Sequence, residues 1–426
     1  MISALIPPDL DEISDPLFQA SSDLESCARV LDLEDWVLLR LRQFEQETSL
    51  HTSFPTTEKR VHPLTALWVR HSTVRGAPIV PLVVSGDAFL NSVRAKAMRM
   101  TWISALYGLE TGGGAAAIIL DPRQYGEDDL RVAIGRVGQA MAPFCAPHLS
   151  QSAEAGLSPV VIPEGLNSIE MEWLNASFRG AGNTFTRIAG RLYGPPYLPE
   201  SDDVGSVENA AAFCLAQLIR SAAGHVTNLR VAIQGFDPVC QNLAHRLHRG
   251  GARLVAIADA SGGVRDPLGL DPAALIAHVR ENEVLVGYPS AEAVVNADLL
   301  ESECDVLVLA NGERQITAQN ATKIHAGVIL EAASRAISST AREELSAAGK
   351  VIVSNLICGG VRPLYYATES ERATLGARTE PWMRRRVRHT WATIESAAAK
   401  RKIPMSQAAE LLAVERVAEV IRARGR

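Results

Sequence analysis

The chain has 426 residues, enough for two or three domains at roughly 100–200 residues each. Its apolar fraction of 47% is enough for sizeable cores, and its net charge of −6 lacks the basic excess that a general nucleic-acid binder needs. No apolar run reaches the roughly 18 residues of a membrane span, and the start, Met1-Ile-Ser-Ala-Leu-Ile-Pro-Pro, has no basic region, so neither a membrane anchor nor a signal peptide is expected.

In chain order, residues 1–50 read as largely helical. Leu24, Cys27, Val30, Leu31, Val37, Leu38 and Leu41 recur close to the helical period, with charges between them. Residues 60–84 read as strands, with Thr65-Ala-Leu-Trp-Val and the continuously apolar Ala77-Pro-Ile-Val-Pro-Leu-Val-Val. Residues 87–109 return to helix, and Gly112-Gly-Gly is expected to break it. Ala115 to Leu120 reads as a short buried strand stopped at Asp121-Pro122, and a helix follows from Glu127. Residues 150–205 read as loop-rich, with clusters at Gly180-Ala-Gly-Asn and Gly194-Pro-Pro, which puts a domain boundary near 200. Glu208 to Ala222 reads as an apolar helix.

The clearest segment comes next. Leu229-Arg-Val-Ala-Ile-Gln is a short β run, followed by a turn, a helix to about Arg249, and a second β run ending at Asp259. This is a βαβ unit with an acid some two dozen residues after its first turn glycine. Further β runs start near Asp305, Gly327 and Lys350 with helical stretches between them, which implies a doubly wound parallel sheet. From about 370 the chain reads as helical, and Arg384, Arg385, Arg386 and Arg388 form a basic run expected on a solvated or interface face.

The turn after the first strand is Gly235-Phe-Asp-Pro-Val-Cys. A dinucleotide turn needs small residues so that the backbone and the helix N-terminus can approach the pyrophosphate. Gly235 keeps the first of these positions, but Asp237 and Cys240 stand at the second and third. Asp followed by Pro is a strong helix start. Asp237 is therefore expected to cap the helix itself and to occupy the anion position.

The cysteines Cys27, Cys145, Cys214, Cys240, Cys304 and Cys358 form no CxxC pair, which suits reduced thiols in the cytoplasm. His245 and His248 share a helix face but have no acidic or thiol partner nearby in sequence, so no metal site is expected.

Several blocks in order resemble one family. Val231-Ala-Ile-Gln-Gly-Phe, the run from Gly251 to Val264, Asn311-Gly-Glu-Arg-Gln and Ile329-Leu-Glu-Ala-Ala resemble the coenzyme domain of the glutamate/leucine/phenylalanine/valine dehydrogenases. His71-Ser-Thr-Val-Arg-Gly, Met100-Thr-Trp, Gly112-Gly-Gly and Met171-Glu-Trp resemble its substrate domain, and the segment from Arg401 to Ala418 its closing helices. The resemblance spans about residues 55–426. It implies an α/β fold with a substrate-binding and oligomerisation domain over 1–200, a Rossmann-like NAD(P)-binding domain over 201–369, and C-terminal helices over 370–426 that pack back on the first domain.

It also implies oxidative deamination, with charged side chains in a dry cleft and NAD or NADP as hydride acceptor. At the matching positions this chain differs. The catalytic lysine position is Ala115, the α-carboxylate lysine is Ile103, and the lysine that reads the side-chain carboxylate is Ile79. The catalytic aspartate falls on Pro163, with Glu164 beside it. The asparagine near the nicotinamide is Ile357, the following serine or valine is Leu364, and the coenzyme-contacting threonine is Val207. Ile79 and Leu364 alone would suit a new specificity, but Ala115, Ile103 and Pro163 remove roles that every active member needs.

Two function classes follow. One is a catalytically inactive regulatory or structural subunit that assembles with a catalytic glutamate dehydrogenase paralogue, with itself, or with both in a hexamer-like ring. No coenzyme is then expected, and Ile79, Val80, Ile103, Ala115 and Leu364 would line a pocket for an apolar amino-acid effector or pack shut. The other is an enzyme: an active NAD(P)-dependent dehydrogenase with rearranged residues, or another chemistry on this fold. Its rescue candidates are Glu164, Arg75, His71 and Lys96, with Lys96 expected to face solvent. In this reading Gly235 and Asp259 remain as coenzyme-binding positions.

Overall fold

The computed structural model describes residues 15–145, 159–164, 166, 168–180, 187–188, 207–369 and 379–424. The chain forms two compact units, one of Ser14–Leu192 with Glu410–Arg426 and one containing Tyr193–Ala409.

The first unit opens with two helices rather than one. α1 (Pro16–Val30) is capped by Asp15, whose carboxylate accepts from the Leu17 amide at 2.9 Å. It ends where Asp32 adopts a left-handed φ of 49°. α2 (Asp35–Arg42) follows, and the chain then becomes strand β1 (Gln46–Pro55), where helix was expected up to residue 50. The helical spacing of Leu38 and Leu41 ends there. Beyond it, exposed Glu47, Ser49 and His51 alternate with less exposed neighbours, which is the period of a sheet-edge strand.

β2 (Val61–Ser72), β3 (Pro78–Val84), α3 (Leu90–Leu106), β4 (Gly112–Ile119) and α4 (Glu127–Cys145) continue the unit. β5 (Val160–Glu164), α5 (Ser168–Gly180) and β6 (Arg187–Ile188) lie in the stretch read as loop, while the rest of that stretch, with Gly194-Pro-Pro, falls outside the described residues. The sheet order is β1-β2-β4-β3-β5-β6; β3 runs parallel to β4 and β5, and β2 antiparallel to β4.

Gly112, Gly113 and Gly114 do not break the chain; they begin β4. A β-carbon on Gly113 would overlap Thr101 of α3, and one on Gly112 would overlap the Ser72 carbonyl. The glycines are there because helix and sheet approach closely, a tertiary cause that overrides their usual role as breakers.

The second unit contains α6 (Val207–Ala223), β7 (Arg230–Gln234), α7 (Pro238–Arg249), β8 (Arg253–Asp259), β9 (Gly262–Leu270), α8 (Pro272–Asn282), β10 (Glu292–Val294) and α9 (Asn296–Leu300). Then come β11 (Val306–Leu309), β12 (Val328–Glu331), α10 (Ser339–Ala347), β13 (Val351–Val353), α11 (Asn355–Cys358) and α12 (Val361–Glu369). The sheet order is β10-β9-β8-β7-β11-β12-β13. β8, β7, β11, β12 and β13 are parallel, as the buried Val/Ile/Leu runs required. β9 and β10 add an antiparallel edge that periodicity did not reveal, made by a tight return at Gly262, whose φ is +141°.

The C-terminal helices α13 (Thr379–Arg401) and α14 (Met405–Arg424) do not all belong to the first unit as expected. α13 packs on α6 and stays with the nucleotide-type sheet, whereas the chain from Glu410 joins the first unit. There the Arg416 guanidinium donates to the Ala105 and Leu106 carbonyls at 3.0 and 2.5 Å, satisfying the open end of α3. Among the described residues no helix is long and apolar enough to cross a membrane.

Candidate functional site

In an open parallel sheet, ligands bind beyond the carboxyl ends of the strands where the order reverses. Here that place lies between β7 and β11. β7 ends at Gln234, and Gly235 turns with φ +129°, its amide bonded to the Ala258 carbonyl at 2.8 Å. A β-carbon on Gly235 would press on Ala310 at 3.1 Å and on the Cys240 sulfur at 3.3 Å, so this turn admits only glycine.

Asp237 is the N-cap of α7. Its Oδ1 accepts from the Cys240 amide at 2.8 Å, and Pro238 follows as the first helical residue. An amide that would otherwise face an anion is thus satisfied from within the chain, by a carboxylate. Cys240 is buried behind it. Burial, then the Asp237 charge, pushes its thiol well above the usual range, so it is an inert packing group rather than a nucleophile.

Asp259, at the end of β8, is equally engaged. Its Oδ1 accepts from the Ser261 amide at 2.7 Å and the Ser261 hydroxyl at 2.5 Å, and its Oδ2 from the Leu285 amide at 2.9 Å. Sequence reasoning missed the amide cluster beside the turn. Buried Gln234 donates to Asn296 at 2.9 Å and to Gln315 at 2.5 Å, and Asn296 also donates to Gln315 at 2.9 Å. An amide at a strand end (Gln234), one at a helix start (Asn296) and one in a loop (Gln315) were the only signal for it. Val207 opens α6, Ile357 sits in α11 and Leu364 in α12, all three buried.

In the first unit, Ile79 of β3 lies opposite Gly113 of β4 and Val160 of β5. Strand alternation puts Ile79, Gly113 and Ala115 on one sheet face, the face that α3 packs on. Ala115 packs among Leu67, Val69, Val93, Ala97 and Ala117, and Ile79 and Ile103 are buried too. Pro163 is a β5 residue opposite Leu82.

The rescue candidates have other work. Glu164 closes β5 and forms an ion pair with Lys96 of α3, with side-chain exposures of 28% and 35%. Lys96 is therefore not simply solvent-facing. Counted along the strands from the row of Ile79, Glu164 lies two residues, roughly 7 Å, beyond Ala115. Arg75 spends its guanidinium on the Leu109 carbonyl at 3.1 and 3.3 Å.

His71 is fully enclosed, with Nε2 donating to the Leu41 carbonyl at 2.9 Å and Nδ1 accepting from the Thr101 hydroxyl at 2.8 Å. Desolvation lowers its pKa to about 4, so both nitrogens are committed in a neutral ring. The unfolded ring titrates near 6.5. His71 therefore stabilises the fold above that pH, and this contribution is lost as pH falls from 6.5 toward 4. The expected loss is about 3 kcal/mol between neutral pH and pH ~4. Urea midpoints of the wild type and of His71→Gln across that range check this; an equal slope in both would assign the acid sensitivity elsewhere.

A parallel sheet with a strand–turn–helix at its switch point, joined to a second α/β unit, defines the class: a two-unit dinucleotide-type dehydrogenase fold. The model of the Glu/Leu/Phe/Val dehydrogenases matches residues 208–425, and that of their dimerisation domain matches residues 45–155. The chain belongs to this family. It is 26% identical over 416 residues to the glutamate dehydrogenase of Thermotoga maritima, covering 95% of this chain and 97% of that one. It is 30% identical over 347 residues to the NAD-specific glutamate dehydrogenase of Staphylococcus aureus, covering 80% and 81%. In fold it is similar to the hetero-hexameric glutamate dehydrogenase of Thermus thermophilus in a leucine-bound form, with a TM-score of 0.84, 23% identity and 99% of each chain covered. The chain is thus a glutamate-dehydrogenase-like protein of amino-acid metabolism.

Proposed function

We propose that this chain is a catalytically inactive member of the family that serves as a regulatory or structural subunit beside an active paralogue. The observation that carries this reading is the set of apolar residues, Ile79, Ile103 and Ala115, where the family's lysines stand, all buried and Ala115 within an apolar cluster. Each lost charged hydrogen bond removes about 1.5–3 kcal/mol of binding. Loss of the general base at Pro163 costs roughly another 10²–10⁴ in rate. In the second unit, Asp237 and Asp259 fit a coenzyme poorly, because the first puts a carboxylate at the anion position and the second has both oxygens bonded within the chain.

In this reading residues 1–200 carry assembly and residues 201–369 keep the nucleotide-type fold. The Thermus thermophilus protein is hetero-hexameric and leucine-bound, which is the kind of assembly and apolar effector the reading calls for. Buried free thiols at Cys27, Cys214, Cys240, Cys304 and Cys358 suit a reducing cytoplasm.

The competing reading, a working NAD(P)-dependent amino-acid dehydrogenase with rearranged residues, rests on Lys96 and Glu164. They are the polar pair that a rearranged cleft would have to use. Paired to each other and displaced from Ala115, they replace neither lost lysine in place.

The test is co-expression with an intact glutamate dehydrogenase from the same organism. The two chains are expected to elute as one hexamer-sized complex whose glutamate oxidation rate differs from that of the paralogue alone and responds to leucine. Separate elution with an unchanged rate would overturn the subunit reading.

A further inference from the structure

β1 is the outermost strand of the first unit's sheet and pairs only with β2. The hairpin that joins the two strands gives its hydrogen-bond phase. Thr56 donates its amide to the Arg60 carbonyl at 2.9 Å, in line with the register that sets Phe54 opposite His62 and Leu50 opposite Ala66. Bonded and non-bonded residues alternate along an antiparallel pair. The even-numbered residues of β1 therefore bond to β2. The backbone N–H and C=O groups of Glu47, Ser49, His51 and Ser53 point the other way, along the open edge. Among the described residues nothing bonds to these groups.

Natural edge strands are blunted by lysines, prolines, bulges or short length, because open backbone groups invite another strand. β1 has none of these defences before its last residue. It runs for 10 residues without a lysine or a register shift, and its one proline is the terminal Pro55. Its one carboxylate, Glu47, is neutralised by Arg94 of α3 at 2.6 Å.

The open groups are complementary to themselves. Let a second β1 run antiparallel with Leu50 on a twofold axis. Glu47 then meets Ser53 of the copy and Ser49 meets His51, so every outward residue exchanges both of its bonds. Moving the axis to Ser49 leaves Ser53 beyond the end of the partner strand. Moving it to His51 sets Glu47 against Pro55, which has no amide hydrogen. In the Leu50 register no like charges face each other, and Thr48 meets Thr52, a favourable cross-strand pair.

We propose that β1 is the docking edge for a second copy of this chain, through an antiparallel β1–β1 pair centred on Leu50. The contact joins two six-stranded sheets into one. A twofold contact of this kind is closed, so it ends at two copies instead of propagating. The proposal deepens the reading that residues 1–200 carry assembly, and it rests on that part of the reading alone.

The test is the sedimentation mass of the full chain purified alone. The wild type is expected to form dimers or multiples of them at micromolar concentration. Ser49→Pro removes an outward amide from each copy at an edge, where proline is tolerated. It is expected to keep the circular dichroism spectrum and to weaken self-association at least about tenfold. On the axis, Leu50 faces its own copy as a non-bonded pair with Cα atoms about 4.5 Å apart, within reach of a disulfide. Leu50→Cys is therefore expected to give a covalent dimer on mild oxidation, and the wild type none. This crosslink decides the matter where Ser49→Pro fails to fold. A monomeric wild type, assembly undiminished in a folded Ser49→Pro variant, or no crosslink in Leu50→Cys would overturn the proposal. A monomer here, with one complex in the co-expression test, would sink the β1 pairing and leave the subunit reading standing. Dimers here with separate elution there would do the reverse.

Discussion

Replacing Ala115 by lysine is expected to destabilise the first unit by about 3–5 kcal/mol and to yield no dehydrogenase activity. Ala115 is fully buried, on a strand flanked by Val69 and packed against Val93 and Ala97 of α3. A lysine there brings a charge into an apolar cluster and a long side chain into space filled by methyl groups. On the proposed reading the family's charges were lost together, and restoring one alone creates a buried unpaired charge. Denaturant unfolding followed with a glutamate-oxidation assay reads both effects. An unchanged midpoint with new turnover would mean that the position still opens to a working cleft.

The second large effect concerns the turn. Asp237→Gly combined with Cys240→Gly is expected to raise coenzyme affinity by roughly 10–100-fold, the equivalent of about 1.5–3 kcal/mol for recovering a charged backbone contact. The change removes the carboxylate that holds the Cys240 amide and the side chain packed against Gly235. Glycine at the N-cap costs only a few tenths of a kcal/mol, and glycine at the helical position of Cys240 costs about 1 kcal/mol more. Titration of NADH fluorescence measures the gain. No gain would place the block elsewhere, above all at Asp259, where Ser261 and Leu285 already take both oxygens.

What could be read from the sequence was what is locally encoded. The β7–turn–α7–β8 unit is legible because apolar runs, Gly235 and the Asp237-Pro238 pair each act within a few residues, and the capping bond at Asp237 is the one that this pair dictates. What could not be read depends on distant partners. Gly112 to Gly114 look like a break until α3 is seen lying against them. β1 hides behind a preceding helical period, and its strand character is fixed by its pairing with β2. Lys96 and Glu164 are 68 residues apart in sequence and meet only because α3 packs on the sheet to which β5 belongs. The bonds at Asp259 involve Leu285, a residue beyond two further elements. The family positions at Ile79, Ile103 and Ala115 were assigned by resemblance, and the structure shows all three to be buried.

The central claim is loss of dehydrogenase function, and one measurement bears on it most directly. The purified chain, without a paralogue, is titrated with NAD and with NADP and assayed for glutamate and leucine oxidation. The account predicts no coenzyme binding in the micromolar range and no turnover above background. Micromolar binding with measurable oxidation of either amino acid would contradict it and return the chain to the catalytic members of its family.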